Sequence, residues 1–152
     1  MKVHSYKSHL AWTGNTGDGT QDYKSYLRSY QVKIEGKQAF LGSSDPAFMG
    51  DPTKHNPEEL LLMALSSCHM LWYLHLCSIN KIVVEEYNDS AIGSMIENPD
   101  GSGEFKEAIL RPIVKISDGD KQLAKSLHQK ANEMCFIARS VNFKVDHQPQ
   151  II

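Results

Sequence analysis

Residues 56–78 read NPEELLLMALSSCHMLWYLHLCS, and this stretch decides the fold. Asn56 is a good N-cap, Pro57 suits the first helical position, and Glu58 and Glu59 complement the positive end of a helix dipole. The pattern predicts a helix from Asn56 to about Ser78, apolar nearly all round, which marks it as central and buried. Ser66, Ser67, His69 and His75 interrupt the run from Leu60 to Cys77. That reads as too polar for a membrane span and suits a core helix.

Upstream of the helix, residues 3–12 and 24–35 are rich in β-branched and aromatic types and read as strands around a turn-rich loop, Gly14 to Gly19. In the second strand Tyr26, Arg28, Tyr30, Val32 and Ile34 share one face by the two-residue period. Glu35-Gly36-Lys37 reads as a hairpin turn, followed by an irregular stretch through Pro46, Gly50 and Pro52. Downstream, strands are expected at about 82–96 and 104–116, joined by a turn over Pro99 to Gly103. A second helix is expected to open on a capping box of Ser117 and Asp120. Its apolar stripe is Leu123, Leu127, Ala131 and Met134, with Cys135 immediately after. A last strand is expected at about 141–146. No repeat or long linker divides the chain, so residues 1–152 read as a single α+β domain with a central helix.

The chain has 152 residues, 41% hydrophobic and 22% charged, with a formal net charge of −2. This balance offers no basic field for nucleic acid and no polybasic patch for anionic membranes, and points to a small-molecule or protein partner. Met1 to Trp12 carries His4, Ser5, Lys7 and His9 and lacks the uninterrupted apolar core of a signal peptide. Three cysteines are therefore expected in a reducing compartment, the cytoplasm, where thiols are seldom structural disulfides.

Cys68 lies mid-helix and Cys135 ends the second helix, four residues beyond Ala131 and so facing inward. Cys77 lies nine residues beyond Cys68, roughly 180° around and about 13 Å along one helix. A disulfide needs Cα atoms within about 7 Å. Cys68 with Cys135 is the intrachain pairing of Cys68 that stays open, and Cys77 reads as a small buried hydrophobe. A buried thiolate needs a cation or hydrogen-bond donor beside it. Of the three arginines, Arg28, Arg111 and Arg139, Arg28 projects from an apolar face. It either pairs with a carboxylate at the buried helix start, Glu58, or runs out to solvent at a sheet edge. Glu58 precedes Cys68 by ten residues, about 15 Å along a straight helix. If both serve one site, either the carboxylate comes from a partner chain or the helix is broken, and the site is expected to straddle a two-fold dimer interface.

Other chemistries fit less well. Among Cys68, His69, His75 and Cys77 no two stand three or four apart, and Cys68 and His75 are about 10 Å apart along the axis, so no metal site is expected. Neighbouring His69 points about 100° away from Cys68 and is a poor general base for it. The loop Gly14 to Gly19 lacks the Gly-Lys-Ser/Thr ending of a phosphate loop, and no Gly-x-Ser-x-Gly elbow supports hydrolysis.

The segments Asn56-Pro57-Glu58-Glu59-Leu60-Leu61 and Ala64-Leu65-Ser66-Ser67-Cys68-His69 resemble the central-helix motif of the OsmC/Ohr family. Ala131-Asn132-Glu133-Met134-Cys135, closing the last long helix before a terminal strand, resembles that family's second cysteine. The similarity spans nearly the whole chain and is nearer to the less-studied OsmC-like proteins than to either namesake. It implies an intertwined α+β homodimer, antiparallel sheets around long buried central helices, with two sites at the subunit interface. It further implies that Cys68 is peroxidatic and Cys135 resolving, with Arg28 and Glu58 as the pair that positions the thiolate. The implied reaction reduces organic hydroperoxides to alcohols through a Cys68 sulfenic acid and a Cys68–Cys135 disulfide, without a cofactor. A dithiol reductant, such as a lipoylated protein, then restores the thiols. The chain departs from the family at His69, where an apolar aromatic is common, and at Phe136, where proline is common. The alternative is a non-catalytic dimer of the same fold that protects against stress or holds a hydrophobic ligand.

Overall fold

The computed structural model describes residues 2–152, which form two compact units divided between Leu60 and Leu61. In the first, β1 (His9–Trp12), β2 (Tyr30–Lys33) and β3 (Phe40–Gly42) make an antiparallel sheet in that order. Gln31 is the central rung, opposite Ala11 on one side and Leu41 on the other. The regular strands are shorter than the expected 3–12 and 24–35. Pairing continues irregularly beyond β1 through the bridge Asn15↔Tyr26, and the indole N–H of Trp12 donates to the carbonyl of Leu27 at 2.8 Å. The loop between them is held by Asn15, whose side-chain oxygen accepts from the N–H groups of Gly17 and Gly19. The expected turn at Glu35-Gly36-Lys37 joins β2 to β3, with Gly36 at φ 74°.

Helix α1 (Pro57–Ile79) starts as its sequence predicts. The Asn56 side chain accepts from the N–H of Glu59 at 2.8 Å, while the Glu59 carboxylate accepts from the N–H of Asn56 at 3.2 Å. This is a reciprocal capping box. The helix stops where Lys81 turns left-handed, at φ 59°, and the N–H of Ile82 bonds back to the carbonyl of Cys77.

The second unit adds β4 (Val83–Asp89), β5 (Ile92–Glu97), β6 (Gly103–Leu110), β7 (Pro112–Asp118), α2 (Lys121–Met134), β8 (Lys144–His147) and β9 (Gln150–Ile151). The two expected strands are each broken once, at Ser90–Ala91 and at Arg111. The Asp89 carboxylate accepts from the backbone N–H of Arg111 at 2.7 Å, and the Arg111 guanidinium donates to the carbonyl of Ser90 at 3.0 Å. Both arms of the hairpin thus change sheet at one level. The results are the sheets β4-β7-β9 and β5-β6-β8. Neither is purely antiparallel, because β8 runs parallel to β6 and β9 parallel to β7. The chain returns to these sheets through α2, and a helical crossover brings a strand back in the same direction.

The opening of α2 also differs from expectation. Ser117 remains in β7, and Asp120 is the N-cap, its carboxylate accepting from the N–H of Leu123 at 2.8 Å. Gly119, at φ 107°, makes the strand-to-helix corner. The buried stripe consequently falls on Ala124, Leu127, His128 and Ala131, and Leu123 is 38% exposed. The core gathers Tyr73, Leu76, Cys77, Ile82, Val114, Ala124, Leu127 and Ala131.

α1 is not buried all round in a single chain. Its buried residues, Leu65, His69, Tyr73, Leu76 and Cys77, form one stripe at helical spacing. Leu71 and Ile79 are 63% and 62% exposed. An 18-residue window of the helix has mean hydropathy 1.5 and is 28% buried, so by length and composition alone α1 is apolar enough to cross a membrane. Its polar positions nevertheless have protein partners: Ser66 donates to Asp89, and His69 shares a hydrogen bond with His128.

Candidate redox site

Cys68 is half-buried in the middle of α1, and Cys135 is the buried C-cap residue of α2. Though 67 residues apart in sequence (135 − 68), their sulfurs adjoin closely enough for Cys68 to act on the Cys135 thiol. Both are free thiols. Burial first, and then the adjoining Cys68 sulfur, push the Cys135 thiol up to about 11. Cys135 therefore keeps its proton at neutral pH and can offer it to a Cys68 thiolate. Backbone N–H groups act in the opposite direction, with that of Ala138 donating to the Cys135 sulfur at 3.4 Å.

Beside Cys68 opens an apolar cleft of about 360 Å³, lined by Ala64, Ser67, Cys68, Leu71, Trp72, Phe136 and Ile137. Phe136 is 68% exposed and meets Trp72 edge-on at 5.7 Å, so the residue that departs from the family pattern forms a wall of the cleft.

The other expected residues, Arg28 and Glu58, belong to the first unit. Arg28 neither pairs with Glu58 nor runs free into solvent. Its guanidinium donates to the carbonyls of Tyr26 and Tyr23 and lies over both rings, 4.1 and 4.3 Å from their centroids. Glu58 is half-buried, and one of its carboxylate oxygens, Oε2, is buried without a hydrogen-bond partner among the described residues. Burial, and then the nearby Glu58 carboxylate, raise the phenol of Tyr30 above its ordinary range. Cys77 is buried, and burial raises its thiol, which suits a packed, unreactive group.

A feature that the sequence does not announce surrounds His69. Its Nε2 lies 3.0 Å from Nδ1 of His128, and both rings are fully buried. His147 lies 5.7 Å from the His69 ring and 6.2 Å from that of His128, while Tyr73 lies parallel to His128 at 3.8 Å. Burial first, then the charge on His147, lower His69 to about 4. Burial, then His69 and His147, lower His128 to about 3. Both rings are neutral near pH 7. Among the described residues no three His, Cys, Asp or Glu side chains are arranged to ligate a metal ion. Only the spacing of His128 along the stripe of α2, three residues before Ala131, could have signalled this cluster.

Residues 50–149 match the family described as OsmC-like protein. An uncharacterized protein of Bacillus subtilis, YmaD, is 27% identical over 154 residues, covering 97% of this chain and 93% of its own. An OsmC-like protein of unknown function from Vibrio cholerae has a solved structure that superimposes with a TM-score of 0.86 at 30% identity, covering 99% of this chain and all of its own. An organic hydroperoxide resistance protein from Legionella pneumophila shares the fold at a TM-score of 0.68 and 16% identity, over 99% of this chain and 98% of its own.

Proposed function

Because the chain belongs to the OsmC-like protein family, we propose that it is a cytoplasmic thiol peroxidase for organic hydroperoxides, with Cys68 peroxidatic and Cys135 resolving. The observation that carries this reading is the meeting of the two thiols, from two different helices, beside an apolar cleft. The Cys68 thiolate attacks the distal oxygen of ROOH. The O–O bond breaks, the alkoxide leaves and takes up a proton as ROH, and Cys68 becomes a sulfenic acid. The Cys135 thiol then displaces the sulfenic hydroxyl, releasing water and forming the disulfide. An external dithiol, such as a lipoylated protein, reduces that disulfide by exchange. Leu71, Trp72, Phe136 and Ile137 favour an alkyl group in the cleft over bare hydrogen peroxide.

The same reading makes the protein a homodimer. The bare face of α1 is too apolar to remain in water, and a second copy is its expected cover. Glu58 stands about 15 Å along α1 from Cys68, so the Glu58 and Arg28 that serve each Cys68 come from the partner. Burial of Glu58 at that interface would draw the Arg28 guanidinium of its own chain from Tyr23 and Tyr26 to the unpaired carboxylate oxygen.

The competing reading, a non-catalytic dimer holding a hydrophobic ligand, is favoured by one observation: within a single chain Arg28 is engaged by Tyr23 and Tyr26. The deciding experiment measures consumption of tert-butyl hydroperoxide and of H₂O₂ in the presence of a dithiol. Wild type should turn over with preference for the organic peroxide, and Cys68→Ser should not. Cys135→Ser should stop at a sulfenic acid that a dimedone probe captures. A wild type with no turnover, whose Cys68 never reacts with the probe, rules the peroxidase out.

A further inference from the structure

The two helices that carry the cysteines are joined by a second pair of side chains. His69 follows Cys68 directly on α1, and His128 precedes Cys135 by seven residues, two turns, on α2. Their rings lie within 9° of a common orientation, with Nε2 of His69 3.0 Å from Nδ1 of His128, so the imidazoles meet end to end through one hydrogen bond. In the neutral pair one ring donates and the other accepts. The outer nitrogens, His69 Nδ1 and His128 Nε2, have no protein partner among the described residues. The shared bond is therefore the one protein hydrogen bond either ring makes. Tyr73 of α1 covers one face of His128, and Tyr87 of β4 and His147 of β8 close the surroundings.

The rest of the α2 surface facing the core is Ala124, Leu127 and Ala131. Apolar contact is non-directional and would tolerate sliding of one helix on the other. A buried hydrogen bond between two rigid rings does not tolerate it, because a displaced partner leaves two more polar atoms unpaired.

We infer that His69 and His128 are positioning residues for the redox pair, their imidazole-to-imidazole bond holding α1 and α2 in the register that keeps Cys68 and Cys135 within reach of one another. Neither ring acts on the sulfurs directly. The inference rests on Cys68 and Cys135 forming a disulfide, but not on peroxide being the oxidant.

The test is disulfide closure by diamide, which removes two hydrogens from the reduced dithiol to form the Cys68–Cys135 bond and is itself reduced to the hydrazine. Closure is timed on the full-length protein by quenched alkylation and mass mapping. Loss of the bond in His128→Leu should slow closure roughly 10²-fold, the scale of a misplacement near 1 Å. His128→Asn keeps a bonding atom where Nδ1 stands and should recover most of the rate. His128→Gln, of similar polarity but with its amide one bond further out, should not, and this pair of variants decides the matter if His128→Leu does not fold. Leu65→Ala, which loosens α1 without touching the bond, should close at close to the wild-type rate. Equal rates in Asn and Gln variants, or a Leu65→Ala as slow as His128→Leu, overturn the inference. A wild type that closes with diamide but consumes no peroxide overturns only the peroxidase, and one that forms no Cys68–Cys135 disulfide overturns both.

Discussion

Mild acid should destabilise this protein through two buried rings. His69 and His128 have no exposed surface, and the fold holds them to about 4 and about 3, against an ordinary value of 6.5. In the unfolded chain both return to about 6.5. Below that pH the unfolded state binds more protons than the folded one, so stability falls as the pH falls. The contribution is fully present above pH 6.5 and is lost progressively down to the folded-state values. Each unit is worth about 1.4 kcal/mol per ring, so at pH 5 the loss is about 2 kcal/mol per ring and about 4 for the pair. That is a large part of the roughly 5–15 kcal/mol by which domains are stable. Carboxylates with lowered values, such as Asp146, titrate mainly below this window. Urea unfolding at one protein concentration, followed by Trp12 and Trp72 fluorescence at pH 7, 6 and 5, measures the effect. The double variant His69→Gln/His128→Asn should be less stable at pH 7 and nearly independent of pH. A wild-type stability that is flat from pH 7 to 5, or a double variant with the wild-type slope, refutes the reasoning.

Three further outcomes are expected. An equal mixture of Glu58→Gln and Cys68→Ser chains, once exchanged, should restore about a quarter of wild-type turnover, because half of the dimers are mixed and one of the two sites in each holds an intact Cys68 and an intact partner Glu58; mixtures as inactive as the parents would place both groups in one chain. Arg28→Ala should slow Cys68 sulfenylation more than tenfold while shifting the urea midpoint little, measured by dimedone capture alongside unfolding. Leu65→Ala, deleting a fully buried side chain, should cost about 2–5 kcal/mol in urea unfolding.

Local chemistry made much of this chain legible in advance. Asn56, Pro57 and Glu59 specify the start of α1, because capping is settled within four residues. Gly36 announces its turn for a similarly local reason. The inward aim of Cys135 follows from helical period alone. Ser117 misled because a cap competes with strand pairing. Val83 pairs with Asp118 across β4 and β7 and carries the strand past Ser117, leaving Asp120 as the cap.

The sequence by itself determined the α+β order of elements, the central helix and which cysteine ends which helix, since each follows from period, capping or turn chemistry within a few residues. Only the tertiary structure decided the break of both strands at Ser90–Ala91 and at Arg111, the parallel return of β8 and β9, and the bond between His69 and His128, 59 residues apart. It also decided that Arg28 rests on Tyr23 and Tyr26 within its own chain. These are pairings between distant segments, and a one-dimensional pattern records what each residue prefers but not which partner the folded chain brings to it.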